Sequence, residues 1–459
     1  MASAAGFDDA IGDGHLTSLR RAAASEVDAN AAREPPSEVA GGSPVSSAQQ
    51  LKLSLYAGLL LLLINLAAPG GGLIGLPVLF FLKNRLHLSA HGFATFNIWV
   101  GIPLYLSFVF GFLRDRWSPF GAGDRGHLVL FGAVGAATYA VISFLTPTYS
   151  LLLAGLLIAT MTTLMAASSA TGMFSTIGQR HLMAGLASAV VNVASLVPTV
   201  AGALLGGTLS QTLEGLKAGA AARALFLVGA SLMLAVAGLG TVGPRALFAA
   251  HAPTRNASPI ADLVRLARHW PAYPPLLLLL LWNFAPALGT VMQYHLANSL
   301  HASDAQVGAF YAIYWGSNLP PVLLYAYVCR KVRLARLLLW GTLVGIPQML
   351  PLLLVHSAAG ALWMAIPVGL VGGFVYAALI DLAIRSCPMG LQATMMMLVV
   401  TTTFYVAGRF GDLWGAELYD HAGGFITAVL ATTAVYALML PTLLLVPKRL
   451  AATADGQAA

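Results

Sequence analysis

The chain has 459 residues, 58% of them hydrophobic and only 9% charged, and its formal net charge is +7. Globular proteins carry about 25% charged residues, so this chain cannot cover a water-facing surface, and lipid must be its solvent. The basic residues are scattered through short loops and form no patch, which argues against a nucleic-acid partner; the two cysteines, Cys329 and Cys387, show no CxxC spacing and exclude a disulfide framework.

Residues 1–50 are rich in Ala, Ser, Gly and Pro with mixed charges such as Asp8, Asp9, Arg20 and Glu34, and hold no apolar core of signal-peptide type. Such a segment cannot bury enough apolar surface to order itself, so a disordered tail is expected. Twelve apolar runs of spanning length follow. The first six are about 55–82, 93–113, 128–145, 151–175, 182–209 and 223–242. The last six are about 274–296, 307–328, 334–355, 361–384, 392–413 and 425–446. Only helices and closed barrels satisfy the backbone in lipid, and runs of about 20 residues are too long for barrel strands. The expected fold class is therefore an all-α membrane protein with twelve transmembrane helices in two six-helix bundles. The bundles would occupy 51–242 and 274–447, with a linker over 243–273 and a short tail over 448–459.

An internal repeat supports the division. Leu82, Asn84, Leu86, His87 and Ser89 recur 214 residues later as Leu296, Asn298, Leu300, His301 and Ser303, and each copy ends one apolar run and precedes another. In the linker, Ile260–Trp270 places Leu263, Leu266 and Ala267 on one helical face, with Arg265 and Arg268 elsewhere. That pattern predicts a short amphipathic helix on the membrane surface. Orientation follows from Lys and Arg. With twelve helices, 19 of the 24 fall on the side of both termini and 4 on the other, and Arg409 lies within a helix. Both termini are expected in the cytoplasm, in an inner or plasma membrane.

Charge at membrane depth is costly, so each such residue is a functional candidate. Asp381 and Arg385 are spaced to pair at the inner end of the tenth run, and Arg409 and Asp412 in the outer part of the eleventh. Neutral polar and aromatic groups mark the candidate cavity: Asn65, Asn192, Asn283, Tyr314, Trp315, Asn318 and Tyr405, with Arg409. Asn65 and Asn283 each precede a proline by a few residues, where freed backbone groups line a cavity.

The loop after the second run reads Gly111-Phe112-Leu113-Arg114-Asp115-Arg116. Gly111 permits close helix approach, and Asp115 can accept from an adjacent helix N-terminus while pairing with arginines. This resembles the signature loop of the major facilitator superfamily, Gly-x-Leu-x-Asp-Arg. An acid between arginines at an inner helix end can latch two helices in one state and release them in another, so Gly111, Arg114, Asp115 and Arg116, with the paired Asp381 and Arg385, are the expected gating residues. A narrower resemblance, to the folate–biopterin transporter branch, is carried by Phe81-Leu82-Lys83, by Ser118-Pro119-Phe120-Gly121, by Val332-Arg333-Leu334-Ala335-Arg336 and by Cys387-Pro388-Met389-Gly390 with Gln392. The muropeptide permease group shares this layout. The chain departs from the folate–biopterin branch at Ser107, where a lysine is usual, at Gln392, where an acid is usual, and at the neutral Ala170-Thr171-Gly172-Met173. Those charges would have suited an anionic pterin or folate.

No catalytic triad, metal cluster or phosphate-binding Gly-Lys-Ser/Thr loop occurs in the sequence, so neither an enzyme nor a cofactor is expected. The expected function is secondary active transport of a small organic solute, pterin- or folate-like or otherwise ring-containing, with a proton or sodium as coupling ion. Membrane lipid and the small-molecule substrate are the expected partners, and a monomer is the expected unit. The alternative is a non-transporting membrane sensor or scaffold on the same fold, dependent on the tail 1–50.

Overall fold

The structure, a computed structural model, describes residues 45–88, 90–244, 248 and 258–457. The tail expected over 1–50 therefore lies outside the described residues up to position 44, as do Ser89 and most of the linker before position 258. Among the described residues there is no strand, and twelve helical spans follow one another. In the first half, α1 is Ser47–Ala67 with Gly72–Asn84, and α2 is Ala90–Tyr105 with Ser107–Arg116. They are followed by α3, Asp124–Phe144; α4, Tyr149–Arg180; α5, Ala184–Glu214; and α6, Ala218–Val242. In the second half, α7 is Tyr273–Asn283 with Thr290–Tyr294 and His295–Ser299, and α8 is Asp304–Ser317 with Leu319–Val328. Then come α9, Leu334–Gly345 with Ile346–Leu354; α10, Ala358–Ser386; α11, Gln392–Val400 with Thr401–Ala407 and Gly408–His421; and α12, Gly424–Ala437 with Met439–Leu443. Ten spans have a continuous apolar stretch long enough to cross a membrane; α7 and α8 do so only as broken helices.

Local sequence explains the starts and breaks. The hydroxyls of Ser46, Thr148, Ser303 and Ser357 each accept the backbone N–H three residues on, and Ser303 forms a full capping box with Gln306. The first span breaks at Pro69-Gly70-Gly71, and α7 breaks between Asn283 and Thr290, across Pro286 and a left-handed Gly289 (φ 65°). Both copies of the sequence repeat close the same turn. His87 and His301 stand at φ 49° and 51°, the Leu88 N–H bonds the Leu82 carbonyl at 3.2 Å, and the Ala302 N–H bonds the Leu296 carbonyl at 2.8 Å.

The buried apolar side chains form three clusters, and their membership defines the architecture. One belongs to the first half alone, from Ile74, Phe96 and Tyr139 to Phe226. A second belongs to the second half alone, from Val291 and Phe310 to Phe425. The third is shared: Leu60, Phe174 and Ala187 of the first half pack with Tyr325, Leu379, Ile384 and Met396 of the second. The described residues from 45 on thus pack as one body at one end and as two at the other. The start of α1 and the segment after α12 both lie at the joined end, where Arg330 donates to the Gln50 side chain at 3.0 Å and Arg385 to Asp455 at 3.1 Å. Large apolar side chains such as Leu234, Trp340 and Trp363 stay exposed on the outside, as suits a lipid-facing surface.

A helix does form in the linker, at Pro259–Arg268, and it turns the polar Asp262 to the protein and leaves apolar side chains outward. Asp262 is buried, while Ile260, Leu263 and Val264 are exposed. The reason is an ion pair: Asp262 accepts from Arg116 at the end of α2 and from Arg265 at 3.3 Å.

Candidate functional site

The two halves meet along α2 and α11 on one side and along α5, α8 and α10 on the other. Where α2 crosses α11, the helices are almost in backbone contact. A Cβ on Gly111 would lie 2.5 Å from the Ala393 carbonyl oxygen and 2.8 Å from Thr394 Cα, so only glycine fits. Next to this crossing the Asp115 carboxylate accepts from the Thr394 N–H at 2.7 Å and from its hydroxyl at 2.6 Å. Thr394 lies in the first turn of α11, where N–H groups lack partners and the helix dipole favours an anion. Arg114 is fully buried and holds the arrangement rigid. It donates to Asp115 at 2.7 Å and, through a bidentate pair at 2.6 Å each, to Asp124 at the start of α3. Asp124 in turn accepts from Ser169 on α4 at 2.9 Å. A buried arginine is tolerable only with such complete pairing. Arg116 pairs with Asp262 of the linker helix.

The opposite contact uses the same parts in a different order. Asp381 and Arg385 on α10 pair at 2.7 Å, and the Tyr325 hydroxyl of α8 donates to Asp381 at 2.7 Å. Arg385 also donates to Asp455, which comes from the segment after α12. Asp455 accepts from the Gly185 and Leu186 N–H groups, at 3.0 and 2.9 Å, in the first turn of α5. Burial, and next the neighbouring Asp381, push the Asp455 carboxyl up to about 6, against the pull of Arg385 and the two N–H groups. Around it, the Ser188 hydroxyl donates to the Ala377 carbonyl at 2.6 Å, and the Gln179 side chain donates to the Ile384 and Cys387 carbonyls at 3.0 and 2.8 Å. Gln392, standing where the resembled branch has an acid, donates to Gln179 at 3.1 Å.

Toward the middle of the spans the inter-half contacts continue as Ser107 with Thr401 at 2.8 Å, then as the Tyr105 and Tyr405 rings with centroids 5.4 Å apart. Arg409 lies one helical turn beyond Tyr405, is exposed, and has no hydrogen-bond or ion-pair partner among the described residues. The i,i+3 pairing with Asp412 does not form, because Asp412 accepts instead from the N–H of Thr290, at 2.7 Å, and from its hydroxyl, at 2.9 Å, at the restart of α7. The asparagines mostly serve their own bundles. Asn65 donates to the Ala194 carbonyl on α5 at 3.0 Å; Asn283, Asn192 and Asn318 donate to carbonyls one turn back, at 2.9, 2.8 and 2.7 Å. Tyr314 is buried beside a half-exposed Trp315, their centroids 5.0 Å apart.

Asp124, Ser169 and Asp455 are absent from the residues singled out by sequence. Asp124 sits within the signature loop and had a local signal, as an acid opening a helix. Asp455 had none of its own; the only pointer was the lack of an acid after α8 where the repeat has Asp115 after α2.

No family model and no curated protein matches the chain. Solved structures do. FucP, a major facilitator superfamily transporter in the outward conformation, is 14% identical with a TM-score of 0.61, covering 86% of this chain and 98% of its own. A variant of the E. coli fucose:proton symporter FucP gives 16% and 0.62 over the same shares, 86% and 98%. The human organic anion transporter MFSD10 (TETRAN) gives 18% and 0.60, covering 88% of this chain and all of that one. The chain has the twelve-helix fold of the major facilitator superfamily transporters.

Proposed function

We propose that this protein is a secondary active transporter that exposes a central site between its halves to one side of the membrane at a time. The observation that carries this reading is the set of three cores: one shared at the joined end, and one for each half at the other. Two bodies joined at one end only can rock about a central site, and the carboxylates at the joined end are held by contacts that can be exchanged. The lysine and arginine asymmetry supports a cytoplasmic joined end, and the conformation described here would then face outward.

The solute is a small organic anion with a flat ring. Arg409 is exposed one turn from the Tyr105–Tyr405 ring pair, and an unpaired guanidinium beside aromatic faces suits a carboxylate joined to a ring. The folate–biopterin resemblance supports the ring, and the human neighbour's description as an organic anion transporter supports the charge. Coupling to a proton or sodium gradient would drive it. The test is uptake into proteoliposomes of labelled ring carboxylates beside their neutral amides, under imposed proton or sodium gradients. Arg409→Ala is expected to reduce uptake of the carboxylates about tenfold or more, and Arg409→Lys to reduce it less. Uptake unchanged in Arg409→Ala, or equal uptake of the amides, would remove Arg409 and the anion from the account.

A further inference from the structure

The 214-residue offset of the repeat carries Asp115 to Cys329. The loop after α8 reads Cys329-Arg330-Lys331-Val332-Arg333: it keeps the basic character of its counterpart but has no acid. The position the acid would serve is filled all the same. Asp455 accepts from two N–H groups in the first turn of α5, as Asp115 does from Thr394 in the first turn of α11. The Asp455 N–H donates to the Cys329 carbonyl at 2.9 Å, and the Cys329 thiol donates to the Asp455 carboxylate at 3.7 Å. The glycine of the close crossing is also present, on the partner helix: a Cβ on Gly185 would lie 2.7 Å from Cys329 Cβ.

The rest of the segment is built into this place. The Gly456 N–H donates to the Leu182 carbonyl at 2.6 Å, the Thr453 carbonyl accepts from Arg385 at 3.1 Å, and Ala454 and Asp455 are buried. The contacts therefore reach Leu182, Gly185 and Leu186 of the first half and Cys329 and Arg385 of the second. We infer that residues 453–457 are a detachable latch: Asp455 replaces the acid missing after α8, ties α5 to α8 and α10, and must leave before the joined end can open. This rests on the alternating-access reading, but its test needs no solute, so it can fail without touching the uptake result, and the reverse.

The reporter is Cys387, buried at the other side of the joined end, where its carbonyl accepts from Gln179 of the first half. N-ethylmaleimide is applied to the full-length protein in proteoliposomes, and alkylation of Cys329 and Cys387 is followed separately by mass spectrometry. Asp455→Ala leaves the Gly185 and Leu186 N–H groups and Arg385 short of an acceptor, so alkylation of both cysteines is expected to rise about tenfold. An unchanged melting transition shows that the fold is intact. Replacing residues 453–457 by a Gly-Ser stretch is the second variant, should Asp455→Ala not fold, and is expected to raise both rates at least as far. Faster alkylation of Cys329 with Cys387 unchanged would overturn the latch, since the segment would then leave without opening anything; both rates unchanged would overturn it as well.

Discussion

Two carboxylates cap helix starts at the joined end, and they arrive there by different routes. Asp115 lies in the last turn of α2, and its partner Arg114 is its chain neighbour, with Asp124 ten residues beyond Arg114 at the start of α3. Asp455 reaches the start of α5 from beyond α12, and its partner Arg385 lies on α10. The first group needs little ordering beyond the helices that carry it. The second must also order a free-running segment, at about 1–2 kcal/mol of backbone entropy per residue before any contact repays it. Equivalent chemistry in two similar halves thus yields one contact built into the bundle and, on the latch proposal, one held by a part that can depart.

The largest expected effect comes from taking the arginine out of each group. Arg114→Ala would take from the buried Asp115 and Asp124 the guanidinium they share, a change worth about 3–5 kcal/mol. A marked fall in melting temperature in detergent is the readout. Arg385→Ala should cost less, because its side chain is 12% exposed and Asp455 can withdraw into water. Equal losses in the two variants would mean that the segment carrying Asp455 is as fixed as the helix end that carries Asp115.

A smaller effect is expected from the crossing glycines. Gly111→Ala puts a methyl group 2.5 Å from a backbone oxygen that cannot move without its helix, whereas Gly185→Ala meets the Cys329 side chain first, at 2.7 Å. Overpacking of this kind costs about 1–3 kcal/mol. Gly111→Ala should therefore accelerate Cys387 alkylation about fivefold or more, with Gly185→Ala doing less. The reverse order would show that the α5–α8 crossing is the tighter of the two.

How far these features were legible in the sequence depends on how local their causes are. The twelve spans could be read because each apolar run carries its own signal, and even the broken α7 announced itself through Asn283 and Pro286. The repeat was legible as a mark of two similar halves, and the turn that His87 and His301 share was not read from it. Gly111 and Asp115 could be read because a close crossing and a capped helix start require those residue types at that spacing. Arg116 could not be assigned, since Asp262 lies 146 residues on, in the linker helix, and no local pattern joins the two. The asparagines were equally opaque: one turn of helix offers Asn192, Asn283 and Asn318 a carbonyl of their own, and residue type alone cannot tell that from a solute contact. The position of Asp455 depends on where α12 ends in space, which no pattern in residues 448–459 encodes.

The smallest expected effect is a pH dependence confined to the second gate. Asp455 is faced by Arg385 and Asp381 from α10 and by Cys329 from α8, with Tyr325 bonded to Asp381 behind it; α5 offers it only backbone N–H groups. Its docked carboxyl titrates at about 6, against 3.8 for an ordinary aspartate, so the docked state binds the proton more tightly than the released one. A raised acid contributes its stabilisation fully below the ordinary value and loses it as pH rises through the docked value. Docking should therefore weaken about fourfold between about pH 5.5 and about pH 7.5, and change little above that. Cys329 alkylation, normalised to the denatured protein to remove the thiol's own titration, should rise by that factor in the wild type and stay flat in Asp455→Ala. An equal rise in both would place the titration elsewhere, and the two gates would then respond to pH alike.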